Sequence, residues 1–262
     1  MVENNIFSVI TVCFNAGKTI ERTIRSVADQ TAFDEIEYIV VDGGSTDNTL
    51  QIIEKYQEKI SVIISEPDEG IYDAMNKGFN ACAGDYVCFL NADDVYFNSD
   101  TISNVREVFA LSNPDFVCSN VQIIDEQGTV LRVWKSSFKC ENSVIDHQIA
   151  HPGFFVQSQK LKRLGKAFDP TYKIAGDLKQ QLIVIDKHHC TGHFLDEVTV
   201  KMLTGGESTQ NLRALYWGWC ESARAYREVI GKSSSIFMFK KIIMKLRQVR
   251  SLSWFVNLIG GK

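Results

Sequence analysis

Ile36-Glu37-Tyr38-Ile39-Val40-Val41-Asp42-Gly43-Gly44-Ser45-Thr46-Asp47 sets a run of apolar, β-branched residues directly against a polar, glycine-bearing stop. The run predicts a buried strand and the stop a loop. Leu50, Ile53 and Tyr56 then recur at helical spacing. The same phrase stands on both sides of this one. Upstream, residues 6–12 form an apolar run that breaks at Cys13-Phe14-Asn15-Ala16-Gly17, and Ile20, Ile24 and Val27 follow at helical spacing. Downstream, residues 61–65 lead into Glu66-Pro67-Asp68-Glu69-Gly70 and a helix through Met75 and Phe79, and residues 86–90 end in Asn91-Ala92-Asp93-Asp94. Strands and helices alternating at this pace predict an α/β fold, with a mostly parallel central sheet and helices on both faces. Ligands of such sheets bind outside the carboxyl ends of the strands, and every polar cluster just quoted falls there.

The rhythm changes after residue 99. Ile102, Val105, Val108 and Phe109 predict a helix, and residues 116–124 and 129–133 predict two strands joined at Asp125-Glu126-Gln127-Gly128. The second half is expected to extend the sheet and build the other wall of a cleft. Residues 207–230 and 236–256 read as terminal helices separated by Gly231-Lys232-Ser233-Ser234-Ser235. The expected organisation is one domain over 1–230, with a nucleotide-binding half (1–98) and an acceptor-side half (99–230), followed by a basic tail (231–262).

Hydrophobic residues make up 45% of the 262 and charged residues 23%, enough apolar surface for a sizeable core without a disordered bias. The net charge of −4 argues against a nucleic-acid partner. That total hides an asymmetry, because residues 229–262 hold seven Lys and Arg and no acid, which leaves a body of net −11. Seven cysteines without C-x-x-C spacing fit a reduced, cytoplasmic environment. Neither a leader peptide nor an uninterrupted apolar run of membrane-spanning length is legible.

Several motifs carry two readings. Gly17-Lys18-Thr19 looks like the end of a phosphate-binding P-loop, but Val12 stands where the pattern needs a glycine, and the glycine-rich fingerprint of dinucleotide folds is missing too. Asp42 either forms a turn or accepts from the N3–H of a uracil ring, with Thr11 on the neighbouring strand adding a second contact. For Asp47 the turn and helix-cap reading is favoured. Asp93 and Asp94 form either a turn or a pair of hard oxygen ligands for Mg²⁺ or Mn²⁺ bridging a diphosphate. Asp177 is either a helix N-cap or a general base that activates an acceptor hydroxyl. His188, His189, Cys190 and His193 match no standard zinc spacing, and His151 is either a core or a cleft residue.

These stretches resemble the inverting family 2 glycosyltransferases of GT-A fold, in particular the bacterial O-antigen and colanic-acid type. The likeness rests on residues 8–15, 41–47, 65–78 and 89–94, with weaker landmarks at His151-Pro152-Gly153-Phe154-Phe155, Phe168-Asp169, Ala175-Gly176-Asp177 and Gly205-Gly206-Glu207-Ser208. The resemblance implies that Thr11, Asn15 and Asp42 hold a uridine, and that Asp68 and Asp73 line the nucleotide-sugar pocket. It places Asp93 by the ribose, Asp94 on the metal and Asp177 as the catalytic base. Two departures stand out: Asn91 replaces the first acid of the usual D-x-D, and Met75 takes a position where many relatives carry arginine. The metal then rests mainly on Asp94, and the diphosphate leans on Lys77 or another base.

The function expected from this is metal-dependent transfer of a sugar from a UDP-sugar to a lipid-linked saccharide in surface polysaccharide synthesis, with inversion and with Mn²⁺ or Mg²⁺ as cofactor. A nucleotidyltransferase and a non-catalytic nucleotide-sugar module are the alternatives. In the tail, Ile236, Phe239, Ile242, Ile243, Leu246 and Val249 share one helical face, while Lys240, Lys241, Lys245 and Arg247 fall largely on the other. That pattern suits either an anionic membrane surface, with the protein peripheral on the inner face of the plasma membrane, or packing on the catalytic domain or on a second subunit.

Overall fold

The computed structural model describes residues 6–136, 149–205 and 212–239. The first half follows the expected alternation: β1 (Phe7–Cys13), α1 (Ile20–Ala28), β2 (Ile36–Asp42), α2 (Thr49–Lys55), β3 (Val62–Ser65), α3 (Ile71–Ala81) and β4 (Tyr86–Phe89). The second half holds β5 (Val95–Tyr96), α4 (Thr101–Ser112), β6 (Phe116–Ile124), β7 (Val130–Trp134), β8 (Phe154–Gln157), α5 (Ser158–Lys162), α6 (Gly176–Leu182), β9 (Gly192–Leu203) and α7 (Leu212–Ile230). All nine strands among the described residues join one sheet in the order β3-β2-β1-β4-β8-β6-β9-β5, with β7 on β6.

The parallel character is concentrated where the sequence alternates. β1 pairs in parallel with β2 and β4, and β2 with β3. Strand β8 joins the two halves through antiparallel pairing with both β4 and β6. Beyond it β6 runs parallel to β9 and antiparallel to β7.

Because strand side chains alternate between faces, β1 and β2 feed two cores. Phe7, Val9, Cys13, Tyr38 and Val40 pack on one side with Ile20, Ile24 and Val27 of α1. Ile10, Val12, Ile39 and Val41 pack on the other with Ala74, Met75 and Phe79 of α3. Met75 therefore serves as core. Gly78 is required by this packing, since a Cβ there would lie 2.5 Å from Ile10 Cγ2. The edge strand β3, by contrast, is only partly covered, as an outer strand should be.

Two details differ from what the sequence predicts. Tyr56 is the C-cap of α2: it still packs against the core that holds Ile52 and Ile53, while its hydroxyl donates to Glu21 Oε1 (2.8 Å). The N-cap position of α6 is Ala175, so Asp177 sits inside the first turn and does not cap it. Of the tail, residues 236–239 are described, with Ile236 and Phe239 exposed and Phe237 stacked on Tyr226 of α7 at 4.7 Å. The rest of that tail, and Glu207 and Ser208, lie outside the described residues.

Candidate active site

The carboxyl ends of β1, β2 and β3 are tied together around Asp42. Its side chain is fully buried; it accepts from the Ser65 hydroxyl (2.8 Å) and the Ser45 amide (3.2 Å), with the Cys13 thiol at 3.8 Å. Asn15, in the left-handed region at φ 51°, accepts from the Thr46 amide (2.9 Å) on its side-chain oxygen and donates its backbone N–H to Ser45 Oγ (2.7 Å). The loops after β1 and β2 are thereby clasped to each other. Asp47 accepts from the amides of Gly17 (3.0 Å) and Thr49 (2.9 Å), the turn role expected of it. Thr11 lies behind this assembly: it is fully buried, and its hydroxyl oxygen accepts from Tyr38 (3.2 Å).

Asp68 enters from the loop after β3 and closes over Gly43, held by the Gly70 amide (2.9 Å). Burial pushes its carboxyl pKa up; Asp73 and Asp42 add like charge, while the Gly70 amide and Lys77 counter them. Lys77 is itself engaged by Glu66 (2.9 Å), the Pro67 carbonyl (2.7 Å) and Asp73 (3.5 Å). The ammonium expected at a diphosphate thus straps the Glu66 to Gly70 loop to α3.

The acidic turn after β4 is held from α1. The Arg22 guanidinium donates to the Asp93 carbonyl (2.6 Å) and the Thr23 hydroxyl to the Asp94 carbonyl (2.7 Å). Asp94 is only 1% exposed, and neither carboxylate oxygen makes a hydrogen bond of normal geometry. Burial drives its pKa well above the carboxylate range, and Asp93 beside it adds to the effect. Asp93 is raised as well, by burial, with Arg22 offsetting part of it. A buried carboxylate without a partner is costly. Two hard oxygens in that state suit a divalent cation, which supplies the missing charge. Asn91 Oδ1 is buried and unpartnered at the same turn.

Helix α3 links this side to Asp177. Asp73 and Lys77 face the loop after β3, as described. Tyr72 and Asn76, also four residues apart and so on one face, point the other way: Asn76 exchanges two 2.9 Å hydrogen bonds with the backbone of Phe168. The Tyr72 hydroxyl donates to the Ile174 carbonyl (2.9 Å) and lies 3.4 Å from Asp177 Oδ1. Gly176 permits this approach, since a Cβ there would meet the Tyr72 ring at 2.7 Å. Asp177 also accepts from the Leu178 amide (2.8 Å) and is partly exposed.

His151 packs between the Phe89 ring (5.6 Å) and the Phe168 ring (5.7 Å), with both nitrogens buried and unpartnered. Burial lowers its pKa, and the Asp177 charge offsets part of that. Among the described residues no group of three or more His, Cys, Asp and Glu forms a ready metal cluster, the His188 to His193 segment included.

The structure thus brings Asn15, Asp42 and Asp68 to one loop cluster, joins Asp73 to Lys77 beside it, and sets Asp93 with Asp94 and Asp177 with Tyr72. Arg22, Tyr72 and Asn76 are not among the candidates the sequence offers. Tyr72 and Asn76 carried a signal, a polar i,i+4 pair inside a quoted motif, whereas Arg22 reads as one more surface charge on α1.

Residues 8–191 match the family model described as glycosyl transferase family 2. A PGL/p-HBAD biosynthesis glycosyltransferase of Mycobacterium bovis (strain BCG / Pasteur 1173P2) is 30% identical over 176 residues, covering 66% of this chain and 66% of the relative, so the chain spans just under two thirds of that protein's length. Among solved structures, S. aureus TarS 1-349 in complex with UDP-GlcNAc is similar with a TM-score of 0.71 at 21% identity, over 97% of this chain and 79% of the other. The mannosyltransferase PcManGT from Pyrobaculum calidifontis, in complex with GDP-Man and Mn2+, gives 0.63 at 15%, again over 97% and 79%. The mixed α/β architecture is that of the GT-A glycosyltransferases.

Proposed function

This chain belongs to glycosyl transferase family 2, and from that premise we propose that it moves a sugar from a UDP-sugar to a hydroxyl of a lipid-linked saccharide, with inversion at the anomeric carbon. The observation that carries this reading is the double face of α3. One edge, Asp73 and Lys77, secures the loop that brings Asp68 over Gly43, the residue after Asp42; the other, Tyr72 and Asn76, secures the segment that ends in Asp177. A single rigid helix therefore fixes the distance between a nucleotide-side cluster and a carboxylate suited to be a base, which is the positioning that transfer between two substrates requires.

In this reading Asp42 accepts from the uracil ring, with Thr11 behind it and Asn15 holding the loop in place. Asp68 and Asp73 line the sugar-nucleotide pocket, and Asp93 lies by the ribose. Asp177 takes the proton of the acceptor hydroxyl as its oxygen forms the new bond to the anomeric carbon, and the bond from that carbon to the diphosphate oxygen breaks with its electron pair leaving on UDP. Asp94 would hold Mn²⁺ or Mg²⁺, a cation that neutralises charge on the departing diphosphate. Lys77 keeps the adjoining loop closed.

The bound UDP and UDP-GlcNAc of the TarS structures support a uridine donor, and the Mn2+ of the PcManGT complex supports the cation. A role in surface polysaccharide synthesis of the O-antigen or colanic-acid type extends the same reading, with the protein in the cytoplasm at the inner face of the plasma membrane. The exposed Ile236 and Phe239 at the start of the basic tail favour that location. Among the described residues no helix is long and apolar enough to cross a membrane.

Thermal-shift measurement against UDP-sugars and GDP-mannose, with Mn²⁺ or Mg²⁺, tests the donor, because a ligand bound to the native state raises apparent stability. UDP-sugars are expected to shift the wild-type protein but not Asp42→Ala. Stabilisation by GDP-mannose alone, or an undiminished UDP response in the variant, would overturn the uridine assignment.

A further inference from the structure

The segment that leads into Asp177 is gripped along one face of α7. Glu228 accepts from the Tyr172 hydroxyl (2.8 Å) and Lys179 (2.6 Å), and Arg224 donates to Thr171 (3.1 Å) with its guanidinium 4.4 Å from the Tyr172 ring centre. One turn earlier, Glu221 accepts from three successive backbone amides, those of Lys173 (2.9 Å), Ile174 (2.8 Å) and Ala175 (2.9 Å). Three consecutive amides converging on one point make a nest for an anion, and here the anion is a side chain of the protein. Glu221, Arg224 and Glu228 lie at i, i+3 and i+7, the spacing of one helix face. Gly218 continues it, with a Cβ there 3.2 Å from Ile174 Cγ2.

These amides stand two to four residues before Asp177, while the Ile174 carbonyl is held from the opposite side by Tyr72. The peptide ahead of the base is therefore fixed at its amides by α7 and at its carbonyl by α3. We propose that Glu221 is a positioning residue for the transfer reaction, setting the place and direction of the Asp177 carboxylate without touching substrate. The proposal rests on the reading of Asp177 as general base. It also assigns α7, well outside the nucleotide half, a direct bearing on the rate.

The test is a double-mutant cycle on the full-length protein, with Glu221→Ala, Glu221→Gln, Asp177→Asn and Glu221→Ala/Asp177→Asn. UDP release is followed with the UDP-sugar that the wild type turns over and a membrane extract of lipid-linked saccharides as acceptor. Glu221→Ala is expected to lose about 10²-fold in kcat, the order that follows a displacement of about 1 Å, with the donor KM within about twofold of wild type. Glu221→Gln keeps one accepting oxygen and should fall between the two. If Glu221→Ala does not fold, Glu221→Gln carries the measurement alone.

In the Asp177→Asn background the second substitution should cost little further, since a positioning residue has nothing left to position. Amide hydrogen exchange should quicken at Lys173, Ile174 and Ala175 in Glu221→Ala. Wild-type kcat in both Glu221 variants, a rise confined to the donor KM, or fully additive losses in the cycle would overturn the role of Glu221. Normal transfer by Asp177→Asn would instead overturn the base assignment and the positioning role with it, so the two failures are told apart by that one variant.

Discussion

The carboxylate of Asp68 fills the space that a side chain at Gly43 would need: a Cβ built on Gly43 would lie 2.1 Å from Asp68 Oδ2. The glycine after β2 is thus explained by an acid from the loop after β3. Its neighbour Gly44 is held by conformation instead, at φ 83°.

Gly43→Ala should therefore leave the fold intact and displace only the Asp68 carboxylate, the movable end of a side chain. Donor affinity is expected to fall about tenfold, roughly 1.4 kcal/mol, with the unfolding temperature little changed. Isothermal titration with UDP-sugar checks this; unaltered affinity would place Asp68 outside the donor pocket.

Asp94 yields a prediction with a definite sign in pH. Its pKa is raised well above the unfolded value by burial, so the folded state binds the proton more tightly, and this contribution to stability is present at low pH and lost as pH rises through the raised pKa. Metal-free Asp94→Asn should thus be more stable than wild type at alkaline pH, by about 2–4 °C for each kcal/mol relieved, and should show a much smaller thermal shift with Mn²⁺. Chelator should stop transfer by the wild type. An equal Mn²⁺ response in the variant, or full activity in chelator, would move the cation elsewhere.

Acid unfolding should register Lys179. Burial alone would raise the pKa values of Asp169 and Glu228, but hydrogen bonds outweigh it, those to the Lys179 ammonium first and then Thr171 for Asp169 and Arg224 and Tyr172 for Glu228, and both carboxyls are held at about 2, down from 3.8 and 4.5. Depressed values mean stability that is present above the unfolded pKa and lost as pH falls from above 4 toward 2. Lys179→Met should move the acid midpoint, followed by near-UV circular dichroism, to higher pH. An unmoved midpoint would show the ion pairs to be weak in solution, as many exposed ones are.

Much of the fold was legible because hydrophobic periodicity is a local property. The apolar runs at residues 36–41 and 86–90 and the helical spacing of Ile20, Ile24 and Val27 announce their elements without reference to partners. Sheet order was not legible in the same way. That β8, only four residues long, bridges β4 and β6 depends on pairing across the chain, and nothing in Phe154-Phe155-Val156-Gln157 distinguishes it from a buried helix turn.

The candidate site divides along the same line. Loop acids at strand ends stand out in sequence, whereas Glu221 reads as one of many helix acids until the fold sets it on amides 46 to 48 positions away. Arg22 and Tyr72 likewise acquire a role only when the fold sets them against Asp93 and Asp177.

Removal of the tail tests the proposed location. Phe237 docks on Tyr226 while Ile236 and Phe239 face outward, so a chain ending at Gly231 should keep donor binding yet lose flotation with anionic liposomes at low salt, where each basic residue near the surface contributes about 1 kcal/mol. Equal flotation with and without the tail would assign membrane contact to another surface.

Asp177→Asn bears most directly on the central claim, because the substitution keeps the shape at the start of α6 and removes the capacity to accept a proton. Transfer is measured as UDP release from the preferred UDP-sugar with acceptor extract present, and donor affinity is measured in parallel. With Asp177 as the base, donor affinity is expected to be undiminished and the rate roughly 10²–10⁴-fold below wild type. Transfer at the wild-type rate would contradict that assignment.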